Sequence, residues 1–123
     1  MNKLRVVDLF SGAGGLTFGF FYKLVGEAFE KRNNVEFVFS NEYAPQAVNA
    51  FKKNYGDDIP VIAGDICDIT DEKIAEYVKA QEVDVIIGGP PCQSFSTVGQ
   101  RRYDDRAKLS NQYLRILETI KPK

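Results

Sequence analysis

Four apolar runs of strand length recur along the chain, and segments with helical periodicity separate them. The runs are residues 4–10, 35–40, 60–63 and 83–87. This alternation predicts an α/β fold with a parallel sheet and helices on both faces, because a parallel strand is reached through a crossover helix. Ligands of such sheets bind beyond the carboxyl ends of the strands. We therefore expect functional residues directly after each of the four strands.

The segments between the runs predict four helices. The first places Leu16, Phe20 and Leu24 on one face and extends to about Ala28. The second and third fill the intervals before the third and fourth runs. The last follows a polar loop that we expect to reach about Ser110.

The predicted sheet has about four strands, whereas a doubly wound sheet usually has about six. It should be incomplete on the side of the last strand, and this apolar edge could pair with a complementing chain or with a second copy. We expect residues 1–123 to be a single part of a larger enzyme. The chain would then be a fragment or one subunit of a split enzyme.

The composition excludes several kinds of site. The chain has no histidine, which removes Ser-His-Asp and Cys-His catalysis and every histidine metal site. Its two cysteines, Cys67 and Cys92, form no Cys-x-x-Cys pair, so we expect no metal. With a net charge of −1 there is no overall basic field for nucleic acid. No apolar run reaches the length of a membrane span, so we expect a cytoplasmic protein.

A glycine-rich turn, residues 11–15, follows the first strand. Gly12, Gly14 and Gly15 allow a sharp turn into a helix and leave space for a ligand beside the backbone. An empty βα turn is the alternative. Thr17 stands where the dinucleotide fingerprint has its third glycine, which disfavours a nicotinamide or flavin site.

Acidic residues follow the second and third strands. Glu42 could accept both hydroxyls of a ribose, and the adjacent Tyr43 could cover an adenine. Asp65 could accept a hydrogen bond from an adenine amino group while Ile66 packs on the ring. Each acid alone could equally be a solvated turn residue. Together, at strand ends that meet, they predict a nucleoside-containing cofactor.

A cysteine follows the fourth strand. Pro90 and Pro91 stiffen the backbone before Cys92, which suits a nucleophile presented to a cleft. A small buried residue is the alternative, and for Cys67 we keep that alternative because no neighbour indicates activation.

These motifs together resemble the C5-cytosine DNA methyltransferase family. The resemblance covers nearly the whole chain, and its segments are residues 8–15, 41–42, 64–66, 90–93 and 104–106 and the final helix. It implies a partial Rossmann-like fold of the class I methyltransferases with S-adenosylmethionine as cofactor. Residues 1–123 would be the N-terminal portion of the catalytic domain that binds this cofactor. Ala107 stands where the family often has a glycine.

The resemblance also assigns roles to individual residues. Glu42 would bind the ribose hydroxyls, Tyr43 would stack on adenine, and Asp65 with Ile66 would read the adenine edge. The residues that would hold the methionine and ribose or line the pocket are Phe10, Ser11, Gly12, Gly14, Gly15, Pro91 and Leu109. The residues that would contact nucleic acid are Gln93, Ser96, Arg101, Arg102 and Arg106, and a solvated charged loop is the alternative for the arginines.

The family chemistry gives Cys92 the catalytic role. Its thiolate would add to C6 of a cytosine flipped out of double-stranded DNA, and C5 would then take the methyl group. The family's later Glu-Asn-Val and arginine motifs and its target recognition domain have no counterpart here. We therefore expect a DNA cytosine-5 methyltransferase of a restriction system, inactive or nearly so alone. The alternatives are a tRNA cytosine-5 methyltransferase and a non-catalytic partner-binding fragment, with a nicotinamide dehydrogenase a distant third.

Overall fold

The structure is a computed structural model that describes residues 3–89 and 103–123, with side chains from residue 109 onward in the second range. The strands are β1 (Leu4–Leu9), β2 (Tyr22–Val25), β3 (Ala28–Lys31), β4 (Val35–Glu42), β5 (Val61–Ala63) and β6 (Val85–Gly88). The helices are α1 (Gly15–Phe21), α2 (Pro45–Tyr55), α3 (Asp71–Val78) and α4 (Tyr103–Ile120). Short 3₁₀ turns cover Gly56–Asp58 and Ile66–Asp68.

Four parallel strands form the main sheet in the order β5-β4-β1-β6. Their register aligns the carboxyl ends, since Leu9 pairs with both Asn41 and Gly88, and Glu42 pairs with Ala63. The chain runs outward from β1 through β4 to β5 and then crosses to β6 on the other side of β1. The strand order therefore reverses beside the carboxyl end of β1, where α/β sheets bind their ligands.

Each face of the sheet carries its own apolar core. On one face Val6 and Phe37 pack with Phe21 of α1 and Phe51 of α2. On the other, a core that includes Val7, Leu9, Ile74 and Ile116 joins the sheet to α3 and α4. Neighbouring residues of a strand point to opposite faces, which divides Val6 from Val7. The predicted four-stranded parallel sheet with helices on both faces is confirmed, and β6 forms one edge of it.

The first helix is shorter than predicted. It ends at Phe21, and a two-stranded antiparallel hairpin, β2–β3, replaces the expected extension to Ala28. Gly26 has a φ of +62°, a conformation that suits a tight turn, and Leu24 pairs across the hairpin with Phe29. The prediction was wrong because residues at helical spacing were also able to pair across two short strands.

The last helix is longer than predicted. It begins at Tyr103, whereas the polar loop was expected to continue to about Ser110. Its first turn contains Asp104 and Asp105, and acidic residues favour the positive end of the helix dipole. The charged first turns carry no apolar periodicity, so the sequence pattern indicated a loop. In the described parts of the chain, no helix has the length and apolarity to cross a bilayer.

Candidate functional site

The turn after β1, residues 11–15, is called the glycine loop here. Its backbone reverses through left-handed conformations, with φ of +60° at Gly12 and +98° at Gly14. The loop closes with a hydrogen bond from the Gly14 amide to the Ser11 carbonyl (3.0 Å). Phe10, directly before it, also has a positive φ of 56°, which is uncommon for a residue with a side chain. Such strain is found where the surrounding structure fixes the backbone.

Two consecutive residues at the end of α2 hold the glycine loop. The Tyr55 hydroxyl donates to the Gly14 carbonyl (2.5 Å), and the Asn54 side-chain amide donates to the Ala13 carbonyl (3.1 Å). Burial raises the pKa of Tyr55 above its usual value, with smaller contributions from Tyr22 and Asp8, so the hydroxyl remains a donor at neutral pH. The loop therefore has a fixed position against α2.

Glu42 connects the end of β4 to the glycine loop. One of its carboxylate oxygens accepts from the Gly12 amide and the other from the Ala44 amide, both at 2.8 Å. The Ser11 hydroxyl and amide both donate to the Asn41 carbonyl, at 3.2 and 3.1 Å. A carboxylate has about four acceptor positions, so Glu42 keeps capacity for further donors such as hydroxyl groups.

A buried carboxyl group lies below the loop. Asp8 is fully buried, and one of its oxygens accepts a hydrogen bond from the Thr17 hydroxyl. Its other oxygen has no partner among the described residues. Burial raises the pKa of Asp8 from 3.8 to about 6, the Thr17 hydrogen bond opposes that rise, and the charge of Glu42 adds to it.

The turn after β5, residues 64–69, is called the acidic turn here. Asp65 caps its 3₁₀ segment, because one carboxylate oxygen accepts from the Cys67 amide (2.8 Å). The Asn41 side-chain amide donates to the carbonyls of Ile62 (2.7 Å) and Gly64 (3.0 Å). The end of β4 thus supports both the glycine loop and the acidic turn.

The residues of the acidic turn and Tyr43 after β4 differ in exposure. Ile66 is buried in the core, whereas Tyr43 is 71% exposed. Cys67 is exposed, and the expectation of a small buried residue was wrong because the 3₁₀ turn directs Ile66 inward instead. Desolvation of the thiol, together with Asp65 and Asp68, raises the pKa of Cys67, so the prediction that it is not activated agrees with its surroundings.

Helix α4 contacts the carboxyl end of β1 through a pair of aromatic rings. The rings of Phe10 and Tyr113 stack with centroids 6.3 Å apart, and Leu109 packs against the same core. A Cβ on Gly88 would lie 2.5 Å from the Leu9 carbonyl oxygen and 2.8 Å from the Tyr113 ring. The end of β6 therefore requires a glycine.

The structure brings together the predicted residues at the ends of β1, β4 and β5. The predicted residues Pro91, Cys92, Gln93, Ser96, Arg101 and Arg102 lie outside the described residues. Arg106 lies within α4, and its side chain is outside the description. Their assigned roles remain predictions.

Four residues at the site had no predicted functional role. They are Thr17, Tyr55, Tyr113 and Arg115. Thr17 was considered only as a departure from a dinucleotide motif. The type of a side chain does not show which backbone carbonyl it will bind. The hydroxyl of a buried tyrosine usually needs a hydrogen-bond partner, and only this rule could have indicated Tyr55.

The arrangement suits a ligand with hydroxyl and amino groups. Glu42 has spare acceptor capacity, and among the described residues no donor bonds the second carboxylate oxygen of Asp65. A Cβ on Gly12 or Gly15 would meet no atom of the described residues within 4 Å, so none of these residues fills the space beside the loop. Two acids, an exposed tyrosine and an open backbone turn fit a nucleoside-containing cofactor.

The sequence of the chain is similar to those of known DNA methylases. Residues 4–123 match the family described as C-5 cytosine-specific DNA methylase. The chain is 38% identical over 123 residues to the type II methyltransferase M.AquIA of Picosynechococcus, covering 97% of this chain and 45% of that protein. It is 38% identical over 122 residues to M.FnuDI of Fusobacterium nucleatum, covering 98% of this chain and 30% of that protein. The chain therefore spans less than half the length of these relatives.

Solved structures agree with these sequence matches. A prophage-encoded E. coli protein described as a DNA modification methyltransferase superposes with a TM-score of 0.73 at 30% identity, over 98% of this chain and 30% of that one. The Dnmt2 methyltransferase of S. pombe gives a TM-score of 0.58 at 20% identity, over 94% of this chain and 29% of that one, which shows a shared fold.

Proposed function

The chain belongs to the C-5 cytosine-specific DNA methylase family, and on this premise we propose that it carries the cofactor site and the nucleophile of a DNA cytosine-5 methyltransferase. The observation that supports the proposal best is the convergence of the glycine loop, Glu42 and Asp65 at one edge of the sheet. Cys92 follows the end of β6 by four residues, and β6 ends at that same edge.

The cofactor in this proposal is S-adenosylmethionine, which supplies an electrophilic methyl group on a sulfonium. Glu42 binds the ribose hydroxyls through its remaining acceptor positions, and Tyr43 covers the adenine. Asp65 accepts from the adenine amino group through the oxygen that its own turn leaves open. The glycine loop and Phe10 hold the methionine and ribose portion beside the open backbone.

The chemistry in this proposal begins with Cys92. Its thiolate would form a bond to C6 of cytosine and thereby move electron density to C5. C5 would then take the methyl group as the bond between that group and the sulfonium sulfur breaks, and the sulfur would keep the electron pair as a neutral thioether. Loss of the C5 proton then restores the ring double bond and expels the thiolate. The target base has to leave the duplex to reach the thiol, at a cost of a few kcal/mol of unstacking and unpairing. The chain has no histidine that could act as the base for the thiol.

The residues proposed to contact the nucleic acid lie after Cys92 in sequence. They are Gln93, Ser96, Arg101, Arg102 and Arg106. Arginine side chains bind phosphate groups through paired donors and fix the position of a protein on a duplex. Charge reversal at Arg101 or Arg102 should therefore weaken DNA binding similarly for all sequences.

Covalent trapping tests the proposal. The chain, together with a complementing C-terminal chain, is incubated with S-adenosylmethionine and duplex DNA that contains 5-fluorocytosine. The C5 substituent of this base cannot leave as a proton. We expect a stable protein–DNA adduct that Cys92→Ser abolishes and that Cys67→Ser leaves intact. Cys67 is a matched control because it is the other cysteine of the chain and is exposed.

The same experiment separates the alternatives. An adduct with 5-fluorocytosine in transfer RNA but not in DNA would replace the substrate in the proposal. No adduct on either nucleic acid, with the cofactor bound, would favour a non-catalytic binding protein. An adduct that survives Cys92→Ser would contradict the assignment of the nucleophile.

A further inference from the structure

Arg115 of α4 makes four hydrogen bonds, and three of them reach the segment around the acidic turn. Its guanidinium donates to the carbonyls of Ile66 (3.3 Å) and Ile69 (2.8 Å) and to the Asp71 carboxylate (2.7 Å). The fourth bond goes to the Gln112 side chain (2.6 Å) on its own helix. This side chain therefore joins α4 to the turn that carries Asp65.

One peptide group connects Arg115 to the Asp65 carboxylate. The carbonyl of Ile66 and the amide of Cys67 belong to the same peptide, and in a trans peptide these two groups point in opposite directions. Arg115 binds the carbonyl side, and the amide side donates to a carboxylate oxygen of Asp65 at 2.8 Å. A change in the tilt of this peptide would move the donor that orients Asp65.

We propose that Arg115 is a positioning residue for Asp65 and thereby sets how strongly the site prefers adenine over a purine without the amino group. This inference rests on the proposed function, in which Asp65 accepts from the adenine amino group. Arg115 holds the Ile66–Cys67 peptide, the peptide holds one oxygen of Asp65, and the other oxygen meets the cofactor. The guanidinium itself does not contact the ligand.

Arg5 provides a matched control at the opposite end of the sheet. Its guanidinium also binds two backbone carbonyls, those of Val78 and Glu82 (both 3.2 Å), and one carboxylate, that of Glu36 (3.1 Å). Arg5 lies in β1 near its amino end, away from the strand ends that carry the site. Arg→Lys at either position removes the same kind of contacts, so a difference between the two variants reports on position.

The experiment compares two ligands by equilibrium binding to the intact protein. They are S-adenosylhomocysteine and its purine riboside analogue, in which a hydrogen atom replaces the amino group at C6. We expect Arg115→Lys to weaken the binding of S-adenosylhomocysteine about tenfold, which is the effect of losing an oriented hydrogen bond to a charged group. The affinity for the purine riboside analogue should change less than about twofold, so the preference for adenine decreases. Arg5→Lys should leave the preference unchanged.

A double-mutant cycle tests the route through Asp65. Asp65→Asn should reduce the preference for adenine, and adding Arg115→Lys should reduce it little further, because both changes affect the same contact. Asp71→Asn removes one partner of Arg115 and should shift the preference about twofold in the same direction. This milder variant tests the inference if Arg115→Lys does not fold.

The outcomes distinguish the inference from the proposed function. If the unsubstituted protein does not bind S-adenosylhomocysteine, or does not distinguish the two ligands, the cofactor assignment fails and this inference fails with it. If the unsubstituted protein does distinguish them, an unchanged preference in Arg115→Lys or in its Asp71→Asn substitute overturns the positioning role alone. Fully additive effects of Arg115→Lys and Asp65→Asn would do the same.

Discussion

The glycine loop and the acidic turn lie at one edge of the sheet, but different kinds of interaction hold them. Tyr55, which is 5% exposed, and the buried Asp8–Thr17 pair support the glycine loop from below. The acidic turn depends on Arg115, whose side chain is 30% exposed and whose ion-pair partner Asp71 is 61% exposed. The glycine loop is therefore the packed half of the site, and the acidic turn is the half that is held by charge.

This difference predicts different sensitivities for the two halves. Close packing tolerates neither added volume nor an unpaired buried group, and salt does not screen it. A partly exposed ion pair contributes little and is weakened by salt. We therefore expect shape and protonation to disturb the glycine loop, and ionic strength to disturb the acidic turn.

The largest effect should come from Gly14→Ala. A Cβ there would collide with Cε2 of the Tyr55 ring and lie 3.0 Å from its hydroxyl oxygen, at a φ of +98° that disfavours a side chain. Overpacking and left-handed strain together should lower the free energy of unfolding by about 3 kcal/mol, measured by urea denaturation.

Gly12→Ala is the control for Gly14→Ala. Gly12 also has a positive φ, of +60°, but its Cβ would meet no atom within 4 Å. It should therefore show only the conformational strain, about 1 kcal/mol. Equal losses in the two variants would show that α2 does not hold the loop by close packing.

The next effect is a pH dependence caused by Asp8. Its pKa is about 6 in the fold against 3.8 for an ordinary aspartate, so between these values the folded protein binds more protons than the unfolded chain. The stability from this group is complete below about pH 4 and is lost as the pH rises through 6. Two pKa units correspond to about 3 kcal/mol at most.

Asp8→Asn isolates this contribution from that of other carboxyl groups. Unfolding free energies of both proteins are measured by urea denaturation from pH 4.5 to 7.5. The unsubstituted protein should lose stability relative to Asp8→Asn across this range. Thr17→Val should move the midpoint of the change upward, because the Thr17 hydrogen bond lowers the pKa of Asp8. A constant difference between the unsubstituted protein and Asp8→Asn would show that Asp8 titrates as an ordinary surface acid.

Much of the framework of this site was predictable from sequence. The apolar runs predicted the parallel sheet. Because the carboxyl ends of parallel strands meet, this sheet also predicted that Glu42 and Asp65 lie near the glycine loop. The predicted end of the first helix was wrong because Leu24 and its neighbours satisfy both a helical and a hairpin pattern. The predicted start of the last helix was wrong because its charged first turns have no apolar periodicity. Local periodicity does not decide between such alternatives.

The supports of the site were not predictable in the same way. Tyr55 and Arg115 act on backbone carbonyls that are 41 and 49 residues away in sequence, those of Gly14 and Ile66. Every residue carries a carbonyl group, so the sequence contains no signal for which one a side chain will reach. The packing of α2 and α4 on the sheet determines these pairs.

Tyr55→Phe tests the packed half with a smaller change. It removes the hydroxyl that donates to the Gly14 carbonyl and keeps the ring against Phe21 and Phe51. The loss of unfolding free energy should be about 1 kcal/mol, because the buried carbonyl loses one of its two donors and keeps the Phe18 amide (3.0 Å). Amide hydrogen exchange at Gly14 should become faster, as measured by NMR. Tyr22→Phe is the control, since its hydroxyl makes no hydrogen bond to the described residues, and an equal loss there would contradict the role of the Tyr55 hydroxyl.

The smallest effect should come from Asp71→Asn in the half that is held by charge. The 2.7 Å ion pair with Arg115 is partly exposed, so the loss should be about 0.5 kcal/mol at low salt and close to zero near 1 M salt. Asp58→Asn removes the more exposed pair with Lys31 (3.0 Å) and serves as a control for surface charge. Cofactor affinity should decrease with salt in the unsubstituted protein and in Asp58→Asn, but less in Asp71→Asn. If the salt dependence is the same in all three proteins, the ion pair between Asp71 and Arg115 does not hold the acidic turn.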